Sequence, residues 1–126
     1  NMFEEFKKRD LKLALATSRL SSIEQLKKDI AHTELLPYFD SVRTRTEESI
    51  SWTDKTGHLK SICEELGISP SDSMMCGDIP SDIESAHKVG FRLSTAVLSG
   101  GIDEEVLAEK QPTYIFPNIS KILGLF

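Results

Sequence analysis

The chain has 126 residues, 39% of them hydrophobic and 28% charged, which is typical of one globular domain and excludes a disordered or fibrous chain. Its net charge of −5 disfavours binding to nucleic acid or to an anionic membrane, because both partners select a concentrated basic face. Only Cys63 and Cys76 are present, without redox-pair or zinc spacing, and no apolar stretch of about 18 residues occurs. We therefore expect a cytoplasmic protein without nucleic-acid or membrane partners.

The first half of the chain alternates between helical and extended patterns. Apolar residues at helical spacing precede Arg9, and the apolar run after Asp10 has the length of a strand. Ser21 and Ser22 are good N-cap residues for a helix that ends before Pro37. In chain order, the pattern predicts a helix over 2–9, a strand over 11–16, a helix over 22–32, a strand over 39–42 and a loop over 43–54.

The second half repeats this alternation with clearer stop signals. Leu59, Ile62 and Leu66 form an apolar helical stripe, and Gly67 and Gly90 stand where left-handed residues end helices. The pattern predicts a helix up to 66, a strand over 74–76, a helix over 81–89, a strand over 93–98, a helix over 104–108, a strand over 114–116 and a final helix from about 119. Strands separated by such helices predict a Rossmann-like three-layer α/β/α fold with a mainly parallel sheet, whose ligands bind at the carboxyl ends of the strands.

Asp78 and Asp82 lie just after the strand predicted over 74–76. Gly77 lets the backbone turn sharply there, and two converging carboxylates can bind a hard cation such as Mg²⁺ together with waters and phosphate. The ordinary alternative makes Asp78 a helix N-cap and Asp82 a favourable charge in the first helical turn. Spacing alone leaves both interpretations open.

Three further polar residues are predicted at the same edge of the sheet. Thr17 and Ser18 end a strand directly before a helix, where hydroxyls and free backbone N–H groups can hold a phosphate oxygen, although N-capping explains them equally well. Lys55 precedes a helix and could neutralise a phosphate, but a single loop lysine is usually solvated. A hydroxyl, a cation and a carboxylate pair at one edge favour binding of a phosphorylated ligand.

These motifs resemble those of the haloacid dehalogenase-like hydrolases, in particular the phosphoglycolate phosphatase-like branch. The similarity covers nearly the whole chain, and its most specific part is Gly-Asp at 77–78 with a second Asp four residues later. The matching segments are residues 13–18 for the second motif, Lys55 for the third, residues 74–83 with Ala86 and Gly90 for the fourth, and residues 97–100 and 112–119 for the last strands.

The resemblance implies a Mg²⁺-dependent phosphatase that acts on a small phosphorylated metabolite through an aspartyl-phosphate intermediate. Thr17 and Lys55 would be catalytic, and with Ser18 they would bind the substrate. Asp78 and Asp82 would bind the metal. The family's nucleophile and general acid belong to a first motif, Asp-x-Asp, which occurs nowhere in these 126 residues.

The absence of this first motif changes the expectation for residues 1–126. We expect a single, incomplete core domain without the family's cap, inactive on its own. The resemblance places the first-motif strand centrally, between the strands that end at Thr17 and Cys76, so two apolar edges would remain. Either a homo-oligomer or a further segment would then complete the sheet, or the two strands would pair directly with each other. Thr56 and Gly57 also follow Lys55 where many members of the branch have Pro, which leaves the substrate open.

Two other function classes fit the same fold. The first is a non-catalytic phosphate-binding or partner-binding domain, which the absence of Asp-x-Asp favours. The second is a receiver-like signalling domain, which requires a phosphorylatable aspartate after a mid-chain strand. The mid-chain strand here ends near residues 41–44, where no such aspartate follows, and this makes the receiver the weaker alternative.

Overall fold

The fold is described over residues 2–17, 25, 28, 36–43 and 54–125 of a computed structural model. Most of the helix predicted over 22–32 and of the loop predicted over 43–54 lies outside these residues, as does Ser18. Gln25 and Lys28, which fall within the predicted helix, are helical.

The described helices and strands follow the predicted alternation. The helices are α1 (Met2–Lys8), α2 (Thr56–Leu66), α3 (Pro80–Val89) and α4 (Glu104–Ala108). The strands are β1 (Ala14–Ala16), β2 (Ser41–Arg43), β3 (Met74–Gly77), β4 (Leu93–Val97) and β5 (Tyr114–Phe116). Short 3-10 helices cover Leu36–Tyr38, Pro70–Asp72, Leu98–Gly100 and Ile119–Leu125, so the final predicted helix is of the 3-10 type. None of the described helices is long and apolar enough to cross a membrane.

The described strands form two parallel sheets. β1 pairs with β2, with Ala14 opposite Ser41, and this pair is called the two-stranded sheet. The three-stranded sheet has the order β3-β4-β5, with Met74 opposite Leu93 and Thr95 opposite Tyr114. All described ladders are parallel, which confirms the predicted α/β class. Within the described residues, β1 and β3 belong to separate sheets.

Two glycines end the helices that flank the strand β3. Gly67 follows α2 with φ 66° and Gly90 follows α3 with φ 90°, a left-handed conformation that residues with a Cβ adopt at a cost. The Gly90 N–H donates to the carbonyl of Ala86 at 3.1 Å. Both helix ends therefore agree with the stop signals in the sequence.

The core lies around α3 and the three-stranded sheet. Ile83, Ala96 and Leu107 form one buried cluster, and every residue of β4 from 94 to 97 is buried, so both faces of this central strand are covered. A second cluster joins α2, β3 and α3 through three residues, Leu59, Met75 and Ala86. Ala16 of β1 packs against this second cluster, which brings the two-stranded sheet to the side of β3.

Candidate active site

The connection from β3 to α3 carries both predicted metal-binding carboxylates. β3 ends at Gly77, and Pro80 occupies the first position of α3, where its missing N–H and fixed φ are favourable. Ile79, with φ −124° and ψ 154°, is the N-cap residue. The ordinary interpretation of Asp78 as the N-cap is therefore wrong, and its carboxylate is not used in that way.

Asp82 is the buried member of the pair, with 2% of its surface exposed. Its Oδ2 accepts hydrogen bonds from the backbone N–H groups of Asp78 at 3.2 Å and Ile79 at 3.4 Å. Its Oδ1 forms an ion pair with Lys55 Nζ. Asp82 thus stabilises the start of α3, as first-turn acids do, and both of its oxygens have partners within the protein.

Lys55 is buried immediately before α2, with 6% of its surface exposed. The alternative of a solvated surface lysine is therefore wrong. Its backbone N–H donates to Ser85 Oγ at 3.1 Å, and its side chain reaches Asp82. A charged lysine at this depth requires a partner, because burial without one would be costly, and Asp82 provides the opposite charge.

Asp78 is exposed, and its side chain lies against Gly100 in the turn that follows β4. A Cβ at Gly100 would approach the Asp78 Cβ to 2.6 Å, closer than real atoms pack. A Cβ at Gly77 would likewise lie 2.6 Å from the Asp82 Cγ. Each aspartate therefore occupies space that the absent side chain of a glycine leaves open.

Cys76 lies in β3, just before the two aspartates. Burial, followed by the negative charges of Asp82 and Asp78, raises the pKa of the Cys76 thiol to about 11. Its side chain is half-buried.

The remaining predicted residues lie on the other sheet or outside the described residues. Thr17 follows β1, is half-buried, and its backbone N–H donates to the carbonyl of Arg43 at 3.1 Å. The structure thus brings Lys55, Asp78 and Asp82 into one cluster and leaves Thr17 at the end of the two-stranded sheet. Sequence reasoning missed Ser85 and the contact role of Gly100, although the spacing of Asp82 and Ser85 on one helical face could have indicated the former.

Asp78 is the exposed carboxylate of this cluster, and it could contribute a ligand to a Mg²⁺ ion. Among the residues that the structure describes, no group of three or more His, Cys, Asp or Glu side chains could hold a metal. Mg²⁺ is commonly bound through one or two carboxylates plus waters and substrate phosphate, so one exposed carboxylate can suffice as the protein ligand. Asp82, whose oxygens are engaged, is better placed to hold Lys55 than to bind the ion.

Together these features describe a Rossmann-like α/β protein with a lysine and two carboxylates at the carboxyl edge of its sheet. Residues 1–96 match the haloacid dehalogenase-like hydrolase family, and the chain belongs to this family. The predicted family resemblance is confirmed.

Known relatives are named as phosphatases of several kinds. The chain is 28% identical over 124 residues to a Clostridium perfringens protein provisionally named pyrophosphatase PpaX, covering 98% of this chain and 56% of that protein. A predicted phosphatase from Clostridium acetobutylicum has a TM-score of 0.85 at 24% identity, with 98% and 56% covered. A predicted phosphoglycolate phosphatase from Haemophilus somnus has a TM-score of 0.82 at 18% identity, with 98% and 53% covered. The chain thus spans just over half the length of these relatives.

Proposed function

We propose that this chain belongs to a Mg²⁺-dependent phosphate monoester hydrolase that acts on a small phosphorylated metabolite through an aspartyl-phosphate intermediate. The observation that carries the proposal is the buried Lys55–Asp82 ion pair beside the exposed carboxylate of Asp78 at the carboxyl end of β3. Membership of a hydrolase family and relatives named as phosphatases support the reaction class. Two free cysteines support a cytoplasmic location.

Each predicted site residue has a proposed role, which the family resemblance supplies for Thr17 and Ser18 and which the contacts of the site support for Lys55, Asp78 and Asp82. Thr17, with Ser18, donates hydrogen bonds to the oxygens of the transferring phosphoryl group. Lys55 neutralises the charge that develops on this group, and Asp82 holds the lysine in place. Asp78 contributes the carboxylate that would hold Mg²⁺, and the bound ion would reduce the repulsion between this carboxylate and the phosphate of the substrate.

We infer that the nucleophile comes from a segment other than these 126 residues, because they contain no Asp-x-Asp. Residues 1–126 would then be one core domain that is inactive by itself. The separation of β1 and β3 into two sheets that share one core cluster supports a further strand between them. A second copy of the chain is the other source for such a strand.

The test is hydrolysis of p-nitrophenyl phosphate, with and without Mg²⁺, by the 126-residue chain and by a form extended at its N-terminus with an Asp-x-Asp strand. We expect turnover only by the extended form with Mg²⁺, and loss of that turnover on Asp78→Asn. Turnover by the 126-residue chain would show that the nucleophile has been misplaced. A Mg²⁺ affinity unchanged by Asp78→Asn, measured by calorimetry, would overturn the metal assignment.

A further inference from the structure

Ser85 lies in α3, one turn after Asp82, with 2% of its surface exposed. Its hydroxyl donates to the carbonyl of Ser81 at 2.8 Å, a common bond for a helical serine. A hydroxyl has one donor and two acceptor positions, so this bond leaves the oxygen free to accept. The oxygen accepts the backbone N–H of Lys55 at 3.1 Å.

Lys55 is consequently attached to α3 at two places. Its Nζ pairs with Asp82 and its backbone N–H bonds Ser85, and these two residues are three apart on one face of the helix. The carbonyl of Lys55 also accepts the N–H of Leu59 at 2.9 Å, which begins α2. The base of a flexible four-carbon side chain is thereby fixed before its ammonium group reaches the site.

We propose that Ser85 is a positioning residue that fixes the backbone of Lys55 so that its ammonium group lies beside Asp82 and the phosphate site. The catalytic part of this inference rests on the proposed function, whereas the positioning of Lys55 can be tested without it. Without the hydroxyl, a buried N–H would lose its acceptor, and a buried donor without a partner favours rearrangement of its segment. The ammonium group would then lose its fixed place.

The experiment compares Ser85→Ala with Ser41→Ala. Ser41 is a matched control because it is also buried, with 5% of its surface exposed. Its hydroxyl joins β2 to α2 by donating to Glu65, and it accepts a hydrogen bond from Arg43 of its own strand. The first readout is the ¹⁵Nζ NMR signal of Lys55, which burial beside Asp82 protects from exchange with water. We expect this signal to broaden or disappear in Ser85→Ala and to persist in Ser41→Ala.

The second readout is kinetic and uses the form of the protein that turns over p-nitrophenyl phosphate. Ser85→Ala should lower kcat about ten-fold with little change in KM, the pattern of an interaction made in the transition state. Ser41→Ala should leave both constants near their original values. If Ser85→Ala does not fold, Ser85→Cys keeps the volume with a weaker acceptor and should change both readouts in the same direction.

The outcomes separate the inference from the proposed function. If no form turns over the substrate, the proposed function fails and the NMR comparison still decides the positioning role. An unchanged Lys55 signal in Ser85→Ala, or equal changes in both variants, would overturn that role. A lost signal with unchanged kcat would support the positioning of Lys55 by Ser85 and would overturn the catalytic part of the inference.

Discussion

The two sheets of this protein hold their charged residues in different ways. Around the three-stranded sheet, the ion pair of Lys55 and Asp82 is enclosed, with side-chain exposures of 8% and 3%. Next to the two-stranded sheet, Lys7 and Asp40 pair at 2.7 Å with side-chain exposures of 33% and 26%. A buried pair must be complete to be tolerated, whereas an exposed pair can be lost at little cost. The first region therefore depends on both partners of its ion pair, whereas the second can lose one partner at little cost.

The largest effect should come from removing one charge of the buried pair. Asp82→Asn would leave the Lys55 ammonium buried without its counter-charge, and we expect the free energy of unfolding to fall by about 3–5 kcal/mol. Asp40→Asn is the matched control, since Asp40 also accepts a backbone N–H, that of Leu13, at 2.8 Å. It should cost at most about 1 kcal/mol. Urea unfolding of both variants measures the difference.

Similar losses in the two aspartate variants would remove the distinction between the regions. Water would then reach Lys55 easily, and its burial could not be taken as a sign of function. A large loss confined to Asp82→Asn would instead show that water is excluded from the ion pair of Lys55 and Asp82. The difference between the two variants is more informative than either value, because both replace a carboxylate that caps backbone N–H groups.

Sequence patterns predicted the elements around the site well and its contacts poorly. Helical periodicity with Gly67 and Gly90 as stop signals located α2 and α3, because both features are local. The burial of Lys55 could not be read in the same way, since its partners lie 27 and 30 residues further along the chain. The approach of Asp78 to Gly100 joins two separate loops, and no local pattern encodes it.

An intermediate loss of stability should come from adding a side chain at the glycines that contact the two aspartates. In Gly77→Ala the new Cβ meets Asp82, which three interactions hold in place, and we expect a loss of about 1–3 kcal/mol. Gly100→Ala should cost less, because the clash with the Asp78 Cβ can be relieved by a shift of an exposed connection, whereas Asp82 is buried within α3. Gly124→Ala, which has open space around its Cβ, should be nearly neutral. Thermal unfolding ranks the three variants by their loss of stability. A larger loss for Gly100→Ala than for Gly77→Ala would mean that Asp78, and not Asp82, is the carboxylate held in place.

The smallest effect concerns the ionisation of Cys76. Its folded pKa of about 11 exceeds the ordinary value of 9.0 through burial and through the charges of Asp82 and Asp78. The contribution of this raised pKa to stability is therefore complete below pH 9.0 and is lost as the pH rises through about 11. Because the thiolate is the reactive form, iodoacetamide should label Cys76 in the folded protein with a midpoint near pH 11, measured by mass spectrometry of its peptide.

Asp78→Asn isolates the contribution of the Asp78 charge to this raised pKa. Removing one nearby negative charge while leaving burial unchanged should move the labelling midpoint to lower pH, and Asp40→Asn, on the other sheet, should leave it unchanged. A midpoint unchanged in Asp78→Asn would mean that burial and the charge of Asp82 raise the pKa, and that the exposed carboxylate has little electrostatic influence at the end of β3. A shift confined to Asp78→Asn would show that the negative potential is concentrated where a cation is proposed to bind.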